Sequence, residues 1–120
     1  MARYKKFIIL ENWKTNQVKI RLGYPFYHAD LIDSSDIKEC WKCIGGGFWN
    51  IDFINKEIRL YGDSTDYGEA PKKKIELSLK NMDSHDWWQF GWVCEKIFGD
   101  GYPKVDFENM KNEFKFKVDY

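Results

Sequence analysis

Apolar residues crowd Lys6–Asn12 as Phe7-Ile8-Ile9-Leu10 and alternate over Val18–Gly23 as Val18, Ile20 and Leu22, with the polar Lys14-Thr15-Asn16-Gln17 between. A period of two places alternate side chains on one face of a strand, so this pair predicts a β-hairpin. After His28, Leu31, Ile32 and Ile37 surround Asp33-Ser34-Ser35-Asp36, which predicts a short helical or turn region. Trp41 to Ile44 resumes an extended pattern and runs into Gly45-Gly46-Gly47. Three successive residues without side chains imply a bulge, or a place where another group approaches the backbone closely.

Phe48 to Ile54 and Glu57 to Tyr61 bracket Asn55-Lys56 as a second hairpin, and 63–70 is a polar loop. Pro71 is compatible with a helix start, but Ile75, Leu77 and Leu79 alternate, which favours a strand. Ser84-His85-Asp86 precedes Trp87, Trp88, Phe90, Trp92, Val93, Ile97 and Phe98, with Gly99 behind, and predicts a capped helix with a broad apolar face. Pro103 to Phe107 and Glu113 to Val118 alternate and are expected to be the last two strands. The sum is an α+β fold: a single domain over residues 1–120 with a mixed sheet of about six or seven strands and one or two helices.

Charge removes some functions. Lysine plus arginine and aspartate plus glutamate both number 19, so no global field holds a polyanion and nucleic-acid binding is not expected. Phe7-Ile8-Ile9-Leu10 is too short for a leader or a membrane span. Three cysteines, an odd and sparse set, suit a reduced cytoplasmic protein better than a disulfide scaffold. Six tryptophans point first to an aromatic core.

The candidate chemistry sits between Phe26 and Ala70. Tyr27-His28-Ala29-Asp30 holds one of the two histidines; Cys43-Ile44-Gly45-Gly46-Gly47 follows, then Tyr61-Gly62-Asp63-Ser64-Thr65-Asp66-Tyr67-Gly68-Glu69-Ala70. A lone histidine is ordinarily a surface residue or a satisfied core residue, and a serine-and-glycine loop is ordinarily a turn. In this order and spacing the three blocks resemble the janus/ocnus family. That resemblance implies a metal-independent phosphohistidine phosphatase, acting on a phosphorylated protein or a small phosphoramidate without any cofactor. It carries the catalytic histidine to His28, as general base or transient phosphate acceptor, and the strand lysine to Lys6, which would neutralise phosphoryl charge. It carries the phosphate-binding loop to Ser64, with Ala29, Thr65 and Asp66 and the local backbone amides as a cradle. Glu95-Lys96-Ile97 and Tyr102-Pro103 match the family's tail more weakly.

Two departures from the family stand out. Phe48 stands where an arginine usually follows the glycines, replacing a bidentate cation by an apolar ring. Asp63 and Asp66 stand where neutral side chains are familiar, and a carboxylate facing the site would repel a phosphate dianion. These departures motivate a second reading, an inactive janus-like domain that binds an anion or a partner protein, with Lys72-Lys73-Lys74 either a replacement cation or a solvated strand end. A third reading, a carbohydrate-binding module, requires several tryptophans exposed together; helical spacing of Trp87, Trp88 and Trp92 favours the core instead. Cys40-Trp41-Lys42-Cys43 has redox-motif or zinc-like spacing but runs into a glycine-rich strand, and adjacent Ser84, His85 and Asp86 cannot face one another as a triad.

Overall fold

In the computed structural model, which describes residues 2–99 and 107–119, strand and alternation coincide over the first hairpin. β1 (Lys6–Asn12) and β2 (Val18–Gly23) pair antiparallel, with Phe7 opposite Leu22 and Ile9 opposite Ile20. A 3-10 turn at His28–Leu31 and the short helix α1 (Ser34–Lys38) follow, in the region where the pattern predicts them. β3 (Trp41–Asp52) then runs as one strand straight through the glycines. β4 (Glu57–Tyr61), α2 (Lys72–Lys80), α3 (Ser84–Phe98), α4 (Phe107–Glu113) and β5 (Lys115–Asp119) complete the described chain.

The sheet has the order β2-β1-β3-β4-β5, antiparallel except for β4 with β5. It is mixed and the class is α+β, but with five strands rather than six or seven, and four α-helices among the described residues. The difference has two sources. The expected strand over Ile75–Leu79 is the helix α2: Ile75 and Ser78 are buried on one side while Leu77 is exposed. Ile75, Ser78, Leu79 and Met82 recur at helical spacing, so the apolar alternation was coincidental and the longer period prevailed. The strand expected at 103–107 lies outside the described residues except for Phe107, which opens α4.

Burial divides the sheet into two faces. Phe7, Ile9, Ile20, Leu22, Trp49, Ile58 and Leu60 point to one side and meet Ile75, Trp87, Phe90, Cys94 and Met110 from the helices. Each large apolar side chain removed from water there stabilises the fold by roughly 1.5–3 kcal/mol. Trp49 also satisfies its indole, donating to the Gly23 carbonyl at 2.8 Å. Asp83 caps α3 by accepting from the Asp86 N–H at 2.9 Å, and the Asp86 carboxylate accepts in return from the Asp83 N–H at 3.1 Å. The cap residue is thus Asp83, one position before the expected Ser84-His85-Asp86.

The opposite face carries Lys6, Ile8, Leu10, Lys19 and Arg21, which the register places side by side, and against it lie the 3-10 turn and α1. Asp36 of α1 is buried there and accepts from Arg21 and, at 3.1 Å, from Lys19. Desolvation opposes its charge, yet the hydrogen bonds from Arg21, the Asp33 N–H and Lys19 together hold the carboxyl down at about 2. A depressed carboxyl contributes stability above its unfolded value and loses it as pH falls towards the folded value. Acid titration of the folded protein is therefore expected to remove roughly 2 kcal/mol between about pH 4 and pH 2. Asp36→Asn should flatten that part of the pH–stability curve measured by denaturant unfolding.

Candidate active site

The glycine triplet forms a floor. Gly45, Gly46 and Gly47 pair with Ile9, Ile8 and Phe7 of β1, and the register slips between Ile9 and Leu10, leaving Ile44 as the bulged residue. A side chain at Gly46 would place its Cβ 2.4 Å from the Phe7 carbonyl oxygen and 3.1 Å from Cδ2 of His28. Both a bulge and a close approach are therefore present: main-chain atoms of Phe7, Ala70 and Tyr61 crowd the three glycines, and at Gly46 the imidazole approaches as well.

His28 is 5% exposed, in the 3-10 turn above this floor. Its Nε2 lies 2.8 Å from the Gly47 carbonyl oxygen. A carbonyl only accepts, so Nε2 carries the proton and Nδ1 keeps the lone pair. Burial, helped by the Lys6 cation, lowers the imidazole below its ordinary value against the opposing Gly47 carbonyl and the Asp66 and Asp63 carboxylates. His28 is consequently neutral at neutral pH, the form that accepts a proton.

Lys6 stands opposite Phe48 in the β1–β3 ladder and donates from Nζ to the Phe26 carbonyl at 2.6 Å, two residues before His28. Its cation is thereby held beside the histidine segment, near enough to act on the imidazole. Asp30, the last residue of the Tyr-His-Ala-Asp motif, accepts from the Tyr27 N–H at 3.0 Å and fixes the turn that presents His28.

The serine loop reaches the same floor from the other side. Beyond Tyr61 the chain leaves β4 and turns back so that Gly68 accepts from the Gly46 N–H at 3.1 Å and Glu69 bridges Gly46 in parallel. Gly46 is where the loop and the histidine meet. Ser64 is buried; its N–H donates to the Gly68 carbonyl and its Oγ accepts from the Tyr67 N–H at 3.2 Å. The Ser64 amide is therefore committed within the loop. Its hydroxyl hydrogen remains, and among the described residues no hydrogen bond uses the N–H of Ala29, Thr65 or Asp66.

Phe48 packs its ring edge-to-face on His28 at 5.6 Å and stacks on Tyr61 at 6.0 Å, occupying the side of the imidazole nearest β4. Asp63 and Asp66 are close enough for their charge to act on His28. The lysine run does not offset them: Lys74 pairs with Glu11 at 2.7 Å, and α2 packs through Ile75 on the sheet face away from His28. Periodicity could not show that the Gly47 carbonyl orients the imidazole or that the Phe26 carbonyl holds Lys6; both are main-chain groups brought in by the fold.

Other constellations separate. Cys40 and Cys43 are free thiols, and burial pushes the Cys43 thiol up, opposite to what a redox nucleophile needs. Among the described residues no three histidine, cysteine or acidic side chains cluster as metal ligands, and no helix is long and apolar enough to cross a membrane. The tryptophans divide, against the helical expectation that all three enter the core: Trp87 is buried, but Trp88 and Trp92 are 54% and 48% exposed.

A mixed five-stranded sheet whose glycine floor carries a buried neutral histidine, with a lysine and a serine loop beside it, defines an α+β domain with one candidate active site. The model of the Janus/Ocnus family matches residues 10–86, more than half of the chain, and the protein belongs to that family. The match spans His28, the glycines and Ser64 and begins after Lys6. None of the curated proteins compared with the chain matches it.

Proposed function

We propose that this protein is a phosphohistidine phosphatase-like hydrolase that cleaves phosphoramidate bonds on protein side chains, with His28 as its general base. The observation that carries the reading is the Nε2 contact to the Gly47 carbonyl, which leaves Nδ1 of a neutral imidazole as the proton acceptor. Nδ1 takes a proton from water, the water oxygen bonds to phosphorus, and the P–N bond breaks. The proton then passes to the leaving nitrogen, so that inorganic phosphate and the unmodified side chain result. Lys6 offsets negative charge on the phosphoryl oxygens, and the Ser64 hydroxyl with the Ala29, Thr65 and Asp66 amides supplies donors to them. Hydrolysis of a phosphohistidine peptide by the purified chain tests the reading; a folded protein that releases no phosphate would sink it.

Phe48 favours a second reading, a Janus/Ocnus domain that has lost turnover and binds an anion or a partner. Its ring covers His28 where the family's arginine would offer a bidentate grip, while Asp63 and Asp66 oppose a dianion. Phe48→Arg distinguishes the two. On the catalytic reading it is expected to lower KM for the phosphopeptide about tenfold, the effect of one charge-assisted contact of about 1.4 kcal/mol. On the binding reading, phosphate release stays at background in both proteins.

A further inference from the structure

A cation and two rings stand in one row across the sheet. Lys6 of β1 is opposite Phe48 of β3, and Phe48 is opposite Tyr61 of β4. Residues directly opposite one another share a face, and neighbouring strands lie about 5 Å apart, so the row covers roughly 10 Å from cation to outer ring. Ile58 and Leu60 of β4 enter the core, which sends Tyr61 to the other face, where His28 lies.

The rings are fixed at the inner end and open at the outer one. Phe48 meets His28 edge-to-face at 5.6 Å and lies against Gly62, where an added Cβ would come 2.9 Å from its Cδ2. Tyr61 stacks on Phe48 at 6.0 Å, with 29° between the ring planes, and is 40% exposed. Phe48 is thus held by His28, Gly62 and Tyr61, whereas Tyr61 keeps surface for a further partner. The core packs on the opposite face of the sheet, so this stack does not belong to it.

The length of the row fits the reaction. In-line displacement puts the leaving group opposite the attacking water. One hydrogen bond from base to water, one contact from water to phosphorus and one P–N bond place the leaving nitrogen roughly 8 Å from the base. Phe48 occupies the first step outward from His28 and Tyr61 the second, while Lys6 stands at the other end of the row for the phosphoryl oxygens.

We infer that Tyr61, backed by Phe48, is the seat of the leaving group, and that it selects phosphoramidates whose nitrogen belongs to a planar, delocalised group, imidazole or guanidine, over those of an aliphatic amine. A flat group stacks on the tyrosine face over its whole area, and a tetrahedral amine on a flexible chain does not. Charge does not make the choice. Around Tyr61 it is mixed: Arg59 meets Glu57 at 2.8 Å, Lys117 lies 3.9 Å from Asp119, and Asp63 follows Gly62. All three leaving groups are nitrogen bases, and shape separates them. This inference rests on the phosphatase reading and names the substrates within it.

The test uses peptides of one sequence that carry phosphohistidine, phosphoarginine or phospholysine at the same position. Phosphate release is measured as kcat/KM for the full chain and for Tyr61→Leu and Tyr61→Phe. The three bonds differ in intrinsic lability, so the readout is the rate of each variant relative to wild type on the same peptide. Tyr61→Leu is expected to lose about fivefold on the phosphohistidine and phosphoarginine peptides and nothing on phospholysine, whereas Tyr61→Phe keeps the wild-type rate on every peptide. Equal loss in Tyr61→Leu on all peptides, or no loss on any, would overturn the leaving-group role while leaving the phosphatase reading in place. Folded wild-type protein that releases phosphate from none of them would overturn both.

Discussion

Replacing His28 by glutamine is expected to lower phosphohistidine hydrolysis by about a thousandfold while leaving the protein folded. The glutamine amide retains a donor for the Gly47 carbonyl that Nε2 now contacts at 2.8 Å, but it offers no basic lone pair in place of Nδ1. Alanine is the harsher variant, because it removes the buried ring as well as its hydrogen bond to the Gly47 carbonyl. Comparing the two separates a chemical role from a structural one. Phosphate release should vanish in both, whereas the unfolding midpoint should fall mainly in His28→Ala. Wild-type pH dependence supplies a further check. The base works when neutral, and burial lowers its value, so kcat/KM should stay level below the ordinary imidazole range and fall only as pH drops through that lowered value. A glutamine variant with wild-type turnover would remove His28 from the mechanism.

Gly46→Ala is expected to damage fold and site together. The added methyl would stand 2.4 Å from the Phe7 carbonyl oxygen, a main-chain atom fixed by the β1–β3 ladder, and 3.1 Å from the His28 ring. Neither neighbour can move without loss: one belongs to the central strand pair, and the other carries the candidate base. Overpacking of this kind costs roughly 1–3 kcal/mol. Hydrolysis should fall further than stability alone dictates, because the imidazole is pushed from the Gly47 carbonyl. Gly68→Ala is the matched control. It lies at φ +76° with open space around its Cβ, so it should lose only about 1–2 kcal/mol of backbone strain and leave His28 in place. Equal effects of the two substitutions on both unfolding and phosphate release would show that Gly46 matters only as a glycine of the strand.

Much of this arrangement was legible before the fold. Val18, Ile20 and Leu22 mark a strand because side chains alternate across a pleat whatever lies beyond it, and β2 has the expected bounds. The glycine triplet announced a close approach, since only a backbone without Cβ lets another group lie on it. Ile75, Leu77 and Leu79 misled because three residues at a period of two also fit a helix, where Ile75 and Leu79 meet the core and Leu77 faces solvent. Trp88 and Trp92 misled in the other direction: one turn apart on α3, they share a stripe that faces outward beside Trp87.

By itself the sequence determined the local periods, the first hairpin, the long helix, and which few side chains have chemistry to offer. Tertiary structure decided what those side chains meet. That Phe48 lies on His28, that the Gly47 carbonyl orients its ring, and that Lys6 is anchored on the Phe26 carbonyl all depend on contacts between residues twenty or so positions apart. Sheet order sets such contacts, and sheet order comes from burying one common apolar face rather than from the preference of any one segment.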